Sequence, residues 1–131
     1  MTSPRLILLV ATLSAGLAVA AGAFASHALR GQISDRALEI FQTGATYQIY
    51  HALALLFIAL WLSRTETATN WIIAATWAFI AGIVLFSGSL YALSLTGIKN
   101  LGIITPLGGV AFLGGWLSLA IAAWYSNSGL E

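Results

Sequence analysis

Four long apolar blocks, separated by short polar punctuation, make up this chain. The charged side chains set their limits: 24 uncharged residues separate Arg5 from Arg30, 24 separate Glu39 from Arg64, 32 separate Glu66 from Lys99 and 31 separate Lys99 from Glu131. A helix rises about 1.5 Å per residue, so about 20 residues cross a hydrocarbon core of about 30 Å. Each block therefore holds one crossing. The pattern predicts transmembrane helices near residues 6–29, 44–62, 71–95 and 103–125, arranged as an all-α antiparallel bundle in a single membrane domain over 1–131. Both termini then share one side of the membrane.

The connections differ in kind. Between the first two spans, Ser34 is a good helix N-cap, Asp35 stands where the helix dipole favours an anion, and Ile33 and Leu38 hold hydrophobic-staple positions. Leu38 and Phe41 share a face away from Asp35, Arg36 and Glu39, which predicts a short amphipathic interfacial helix leading into span two. The segment 64–70 reads as a polar turn, and 96–102 carries two glycines around Lys99. Span four opens with Thr105 and Pro106, which read as N-cap and first helical residue; a kinked helix continuous from Leu101 is the competing description.

Composition agrees with the pattern: 60% of residues are hydrophobic and 7% charged, against about 25% charged in soluble domains. Nine charged side chains cannot furnish the surface of a water-soluble globule. A net charge of +1 gives no footprint for nucleic acid. The absence of cysteine excludes disulfides, thiolate metal sites and a cysteine nucleophile. Arg5, the apolar run 6–21 and the triplet Ala23, Phe24, Ala25 imitate a cleavable signal peptide, but the apolar run continues through Ala28 and Leu29, so the segment reads as a retained span. Arg5 and Arg64 with the amino terminus balance Arg30, Arg36 and Lys99, and this charge distribution does not assign a side.

Helices in lipid associate through close backbone approach and interhelical hydrogen bonds, because lipid tails are as apolar as leucine. Small residues at four-residue spacing recur accordingly. They include Ala11 with Ala15, Gly16 with Ala20, Ala78 with Gly82, and Ala111 with Gly115 beside Gly108. Such stripes suit the bundle interior and a homo-oligomer interface equally. Trp61, Trp71, Trp124 and Tyr125 lie near span ends, at the headgroup level that amphipathic rings prefer.

The polar residues gather toward one membrane face. His27 ends span one, Tyr47, Gln48 and His51 open span two, and Ser87, Tyr91 and Ser94 end span three. Tyr47, Gln48 and His51 form one helical stripe pointing into the bundle, with His51 about 10 Å inside the span end. An ionisable group at that depth is a candidate site by default. The candidate ligand-binding cluster is His27, Tyr47, Gln48, His51, Ser87, Tyr91 and Thr105. Its simplest role is a neutral histidine bonded to Tyr or Gln that ties helices together. A bis-histidine haem and proton relay to Tyr47 or Tyr91 are the competing roles. Two imidazoles, with Asp35 and Glu39 left on the loop, make no metal site, and no cofactor is expected.

Four ordered motifs add a resemblance: GAFASHALR at 22–30, FQTGATYQIYHALALL at 41–56, FSGSLYALSLTG at 86–97 and LGIITPLGG at 101–109. Together with the Gly115 and Trp116 pair, they resemble the small four-helix proteins classed as domain of unknown function 423, relatives of transmembrane protein 256. Ser26 departs from that pattern, which more often has glycine there. The resemblance implies a multi-pass plasma-membrane protein, here of the bacterial inner membrane, and no established reaction. Small multidrug exporters need a glutamate in their first helix, which span one lacks, and fluoride channels need an asparagine absent from residues 1–63.

The sequence contains no phosphate-binding glycine loop, no nucleophile with base and orienting acid, and no acid pair. The resulting expectation is a non-enzymatic protein that binds membrane lipid or serves as accessory subunit of a larger membrane complex. An oligomeric small-solute or proton-coupled transporter is the alternative, and it requires a wet path to the midplane.

Overall fold

Long apolar runs whose prolines stand in the first turn of a helix give long helices, and the computed structural model describes residues 3–65 and 69–126 accordingly. Residues 66–68 of the expected polar turn, and the chain ends, lie outside the described residues. Among the described residues, four helical spans are long and apolar enough to cross a membrane: Pro4–Leu29, Asp35–Arg64, Asn70–Thr96 and Lys99–Tyr125. The first is α1 (Pro4–Phe24) extended by a π-helical turn, Ala25–Leu29. The second is α2 (Asp35–Arg64). The third comprises α3 (Asn70–Gly82), a π-helical turn at Ile83–Ser87 and α4 (Gly88–Thr96). The fourth is a 3₁₀ turn, Lys99–Ile103, followed by α5 (Thr105–Tyr125).

The separate interfacial helix expected between spans one and two does not exist as such. Asp35 to Thr43 form the first turns of α2, which runs 30 residues without a break. The reason lies in the buried stripe: Leu38, Phe41, Ala45, Gln48, Ala52, Leu55, Ala59 and Leu62 follow one another at three- and four-residue steps, so burial never pauses. The cap expected at its start is present, with the Ala37 N–H donating to Ser34 Oγ at 3.1 Å. Ile33 packs beside Leu38, as a staple requires. Only residues 30–34 form the connection, turned by Gly31 at φ 81°.

Span four also starts differently. Thr105 lies inside the helix and Ile104 occupies the cap position without a side-chain cap. The Leu107 and Gly108 N–H groups donate to the Ile104 carbonyl at 3.1 and 3.3 Å, so the backbone of the cap residue satisfies donors that a Thr105 side chain would have served.

The central helix is α2. Half of its most apolar stretch is buried, against 17% for span one, which lies against α2 through Ile7, Ala11, Ala18 and Ala25. α4 packs on α2, whereas α3 packs on α5, and the π-helical turn between them touches both partners. A π turn bonds i to i+5 and admits one extra residue, which rephases the span's buried face.

α3 and α5 approach closely because glycines face phenylalanines. A Cβ on Gly82 would lie 2.3 Å from the Phe112 ring, one on Gly115 would lie 2.6 Å from the Phe79 ring, and one on Gly108 would meet the Phe86 backbone nitrogen at 2.3 Å. These are the contacts that small-residue spacing promised. Backbone cannot yield as a side-chain tip can. Gly108→Ala is therefore expected to destabilise the bundle by about 1–3 kcal/mol. Gly16→Ala, whose Cβ would meet nothing within 4 Å, should stay within about 0.5 kcal/mol; denaturant titrations of the two variants in micelles check the contrast.

Candidate functional site

Two residues one turn apart on α2 carry the interior polar chemistry. Gln48 is 7% exposed and faces α1 and α4. Its Nε2 donates to the Ser14 carbonyl at 2.9 Å, and its Oε1 accepts from the Tyr91 hydroxyl at 2.7 Å. The amide thus uses both ends, and it joins spans one, two and three. Tyr91 is fixed from its other side by the Phe41 ring, with centroids 4.8 Å apart, and by Gly44, where a side chain would meet the Tyr91 ring at 3.0 Å.

His51, 4% exposed, faces the opposite way, toward α5. Its Nδ1 lies 2.7 Å from the Tyr47 carbonyl, and its Nε2 lies 3.0 Å from the Trp116 indole nitrogen. A carbonyl only accepts and an indole N–H only donates. The imidazole is therefore the neutral Nδ1–H tautomer, with both nitrogens engaged. Its ring stacks on Phe112 at a centroid distance of 3.5 Å and an interplanar angle of 7°. Phe79 closes another side, 5.4 Å away.

The pair lies well along α2. Because α2 begins at Asp35, His51 follows 16 residues later, about 24 Å along the axis at 1.5 Å per residue. It sits near the middle of the helix. Tyr47 does not share the interior: it is 40% exposed, and its ring leans on Phe86 with centroids 4.8 Å apart. His27 is exposed on the last turn of span one and makes no hydrogen bond to Gln48 or His51. Ser87 is fully buried on the π-helical turn, and neither its hydroxyl nor those of Ser14 and Ser94 bonds to a protein group.

Thr105 belongs to another bond. Its hydroxyl lies 2.6 Å from Ser89 Oγ, and Ser89 donates to the Phe86 carbonyl at 3.0 Å. With the Ser89 proton spent, Thr105 must be the donor. This contact ties span three to span four near their shared loop. Sequence reasoning overlooked Ser89, Ser14 as a carbonyl acceptor, and Trp116 as a donor. Trp116 did carry a signal, since a tryptophan in mid-span is no headgroup anchor and its N–H needs an acceptor.

Chemically the arrangement contains two separate chains of hydrogen bonds, Tyr91 to Gln48 to Ser14 and Trp116 to His51 to Tyr47, and Gln48 and His51 do not bond to each other. Every polar atom of Gln48 and His51 that faces another span is matched. The described residues contain no group of three His, Asp or Glu that could hold a metal ion.

The family described as "Protein of unknown function (DUF423)" matches residues 21–109, a stretch that holds Gln48, His51, Tyr91 and Thr105. The chain belongs to this family. It is 48% identical to the UPF0382 membrane protein SAB0533 of Staphylococcus aureus (strain bovine RF122 / ET3-1), over 92% of this chain and 96% of that protein. It is 45% identical to the UPF0382 membrane protein YwdK of Bacillus subtilis (strain 168), over 91% of this chain and 96% of that one. No solved structure matches. The DUF423 match ends before Trp116, so it includes only one partner of the His51 to Trp116 bond, whereas these relatives align over most of the chain.

Two measurements probe this chemistry. A double-mutant cycle of Gln48→Leu with Tyr91→Phe should yield a coupling of about 0.6–2 kcal/mol in unfolding free energy; additive effects would break the assignment. Nitrogen-15 spectra of labelled protein should show His51 protonated at Nδ1 and bare at Nε2, with the reverse pattern contradicting the Trp116 bond.

Proposed function

We propose that this small membrane protein is a non-enzymatic lipid-binding protein of the bacterial inner membrane, which seats a phospholipid between α2 and α5. The observation that carries the reading is a groove of about 740 Å³ between the last turns of these helices. Phe57, Trp61 and Trp116 form its apolar walls, Ala120 and Ala123 give it depth, and Arg64 stands at its end. Phe57 and Trp116 are 55% and 46% exposed, so the groove opens sideways toward acyl chains. Arg64 lies in the last turn of α2, at the level of the headgroups. A guanidinium there suits a phosphate oxygen pair, and an anionic headgroup most of all.

The transport reading needs polar groups turned toward a passing solute at the midplane. Gln48 and His51 are the interior candidates, but their polar atoms are engaged by Ser14, Tyr91, Tyr47 and Trp116. Saturated groups of this kind support packing in place of conduction, and leave the groove as the surface fit for a ligand.

Phospholipid retained after purification in mild detergent tests this. Arg64→Gln should lower phosphatidylglycerol retention about tenfold, the loss of roughly one charge-assisted hydrogen bond. Ala123→Phe should exclude lipid of any headgroup by filling the groove. Unchanged lipid content in both variants, measured by mass spectrometry, would overturn the reading.

A further inference from the structure

Near the start of α2, where it meets span three and the first residue of α5, lies a second, chemically different pocket. We infer that it holds the headgroup of a primary-ammonium phospholipid of the phosphoethanolamine type. This inference does not rest on the groove at Arg64. The pocket measures about 200 Å³, and its polar wall is Arg36, Glu39, Thr43 and Thr105, with Phe86 and Leu90 on the apolar side.

The bookkeeping of protons decides the ligand class. The Thr43 hydroxyl donates to the Glu39 carbonyl at 2.9 Å, and the Thr105 hydroxyl donates to Ser89, whose own proton goes to Phe86. A hydroxyl has one proton and two lone pairs. Both threonine oxygens can therefore only accept from a ligand. The Glu39 carboxylate, also an acceptor, adds the negative charge. Three acceptors with one anion fit an ammonium group bearing three N–H donors. A quaternary ammonium has no N–H to give them, and an inorganic anion would meet acceptors and a carboxylate.

Arg36 completes the match. Its Nη1 lies 2.8 Å from Glu39 Oε2, and the two side chains are 76% and 66% exposed. An exposed i,i+3 pair is weakly held, so it can open around a ligand that carries both charges, with phosphate taken by Arg36 and ammonium by Glu39. Both residues stand in the first two turns of α2, at the face of the membrane opposite Arg64. Phe86 and Leu90, packed into the bundle, form the pocket's inner apolar wall.

The test is native mass spectrometry of the full-length protein in detergent, titrated with phosphatidylethanolamine and phosphatidylcholine of identical acyl chains. The wild type should take up the ethanolamine lipid about tenfold better, the value of one charge-assisted hydrogen bond. Glu39→Gln and Thr43→Val should each reduce that ratio severalfold, and Arg36→Gln should weaken both lipids alike. Arg64→Gln should leave the ratio untouched, so failure at this pocket is distinguishable from failure at the groove. Equal uptake by the wild type, a preference that survives both Glu39→Gln and Thr43→Val, or a ratio set by Arg64 would each overturn the inference.

Discussion

A single turn of α2 reaches every other span. Gln48 bonds to span one through the Ser14 carbonyl and to span three through Tyr91, while His51 bonds to span four through Trp116. In water such bonds would compete with solvent, and the helices would be held mainly by hydrophobic expulsion. In a bilayer that force vanishes between helices, and what remains is contact and hydrogen bonding. Each bond of this kind contributes modestly, about 0.6–2 kcal/mol. Three of them radiating from adjacent positions specify which helix faces which, a task that uniform apolar surfaces perform poorly. The neutral histidine tautomer belongs to the same logic, since a buried imidazole costs least when uncharged and paired on both sides.

The two halves of the bundle close by different means. Span three and α5 touch through Gly82, Gly108 and Gly115, whose missing side chains leave room for phenylalanine rings or backbone. α2 and α5 are held apart by rings instead: Phe112, Trp116 and Phe79 lie around His51, and Phe86 meets Tyr47. A seam spaced by large aromatics at its middle stays open at its ends. The Arg64 groove opens at one end of this seam, whereas the Arg36 pocket opens where α2 meets span three and the first residue of α5.

Much of the architecture was legible because charge is scarce. Four silent stretches between charged residues located four crossings, and the Ser34 cap and Ile33 staple lay where local chemistry put them. The interfacial helix was misread because a charged first turn resembles an element of its own, whereas the stripe from Leu38 onward already belonged to the long helix. His27 and His51 look equivalent in a sequence; helix rotation about the neighbours, which no local pattern encodes, left one exposed and the other enclosed. Gln48 and His51 were singled out correctly as interior residues, but their partners Ser14 and Trp116 lay in parts of other spans that only packing brings near.

The π-helical turn at Ile83–Ser87 has a consequence for how such a short protein can manage four mutually braced crossings. One surplus residue swivels the second half of span three relative to the first, so that the portion before it addresses α5 and the portion after it addresses α2. A regular helix of the same length would present one continuous flank and so serve a single neighbour well. The irregular turn makes this span a double-sided key, cut on different edges along its length, and the chain thereby gains an additional interface without an additional helix.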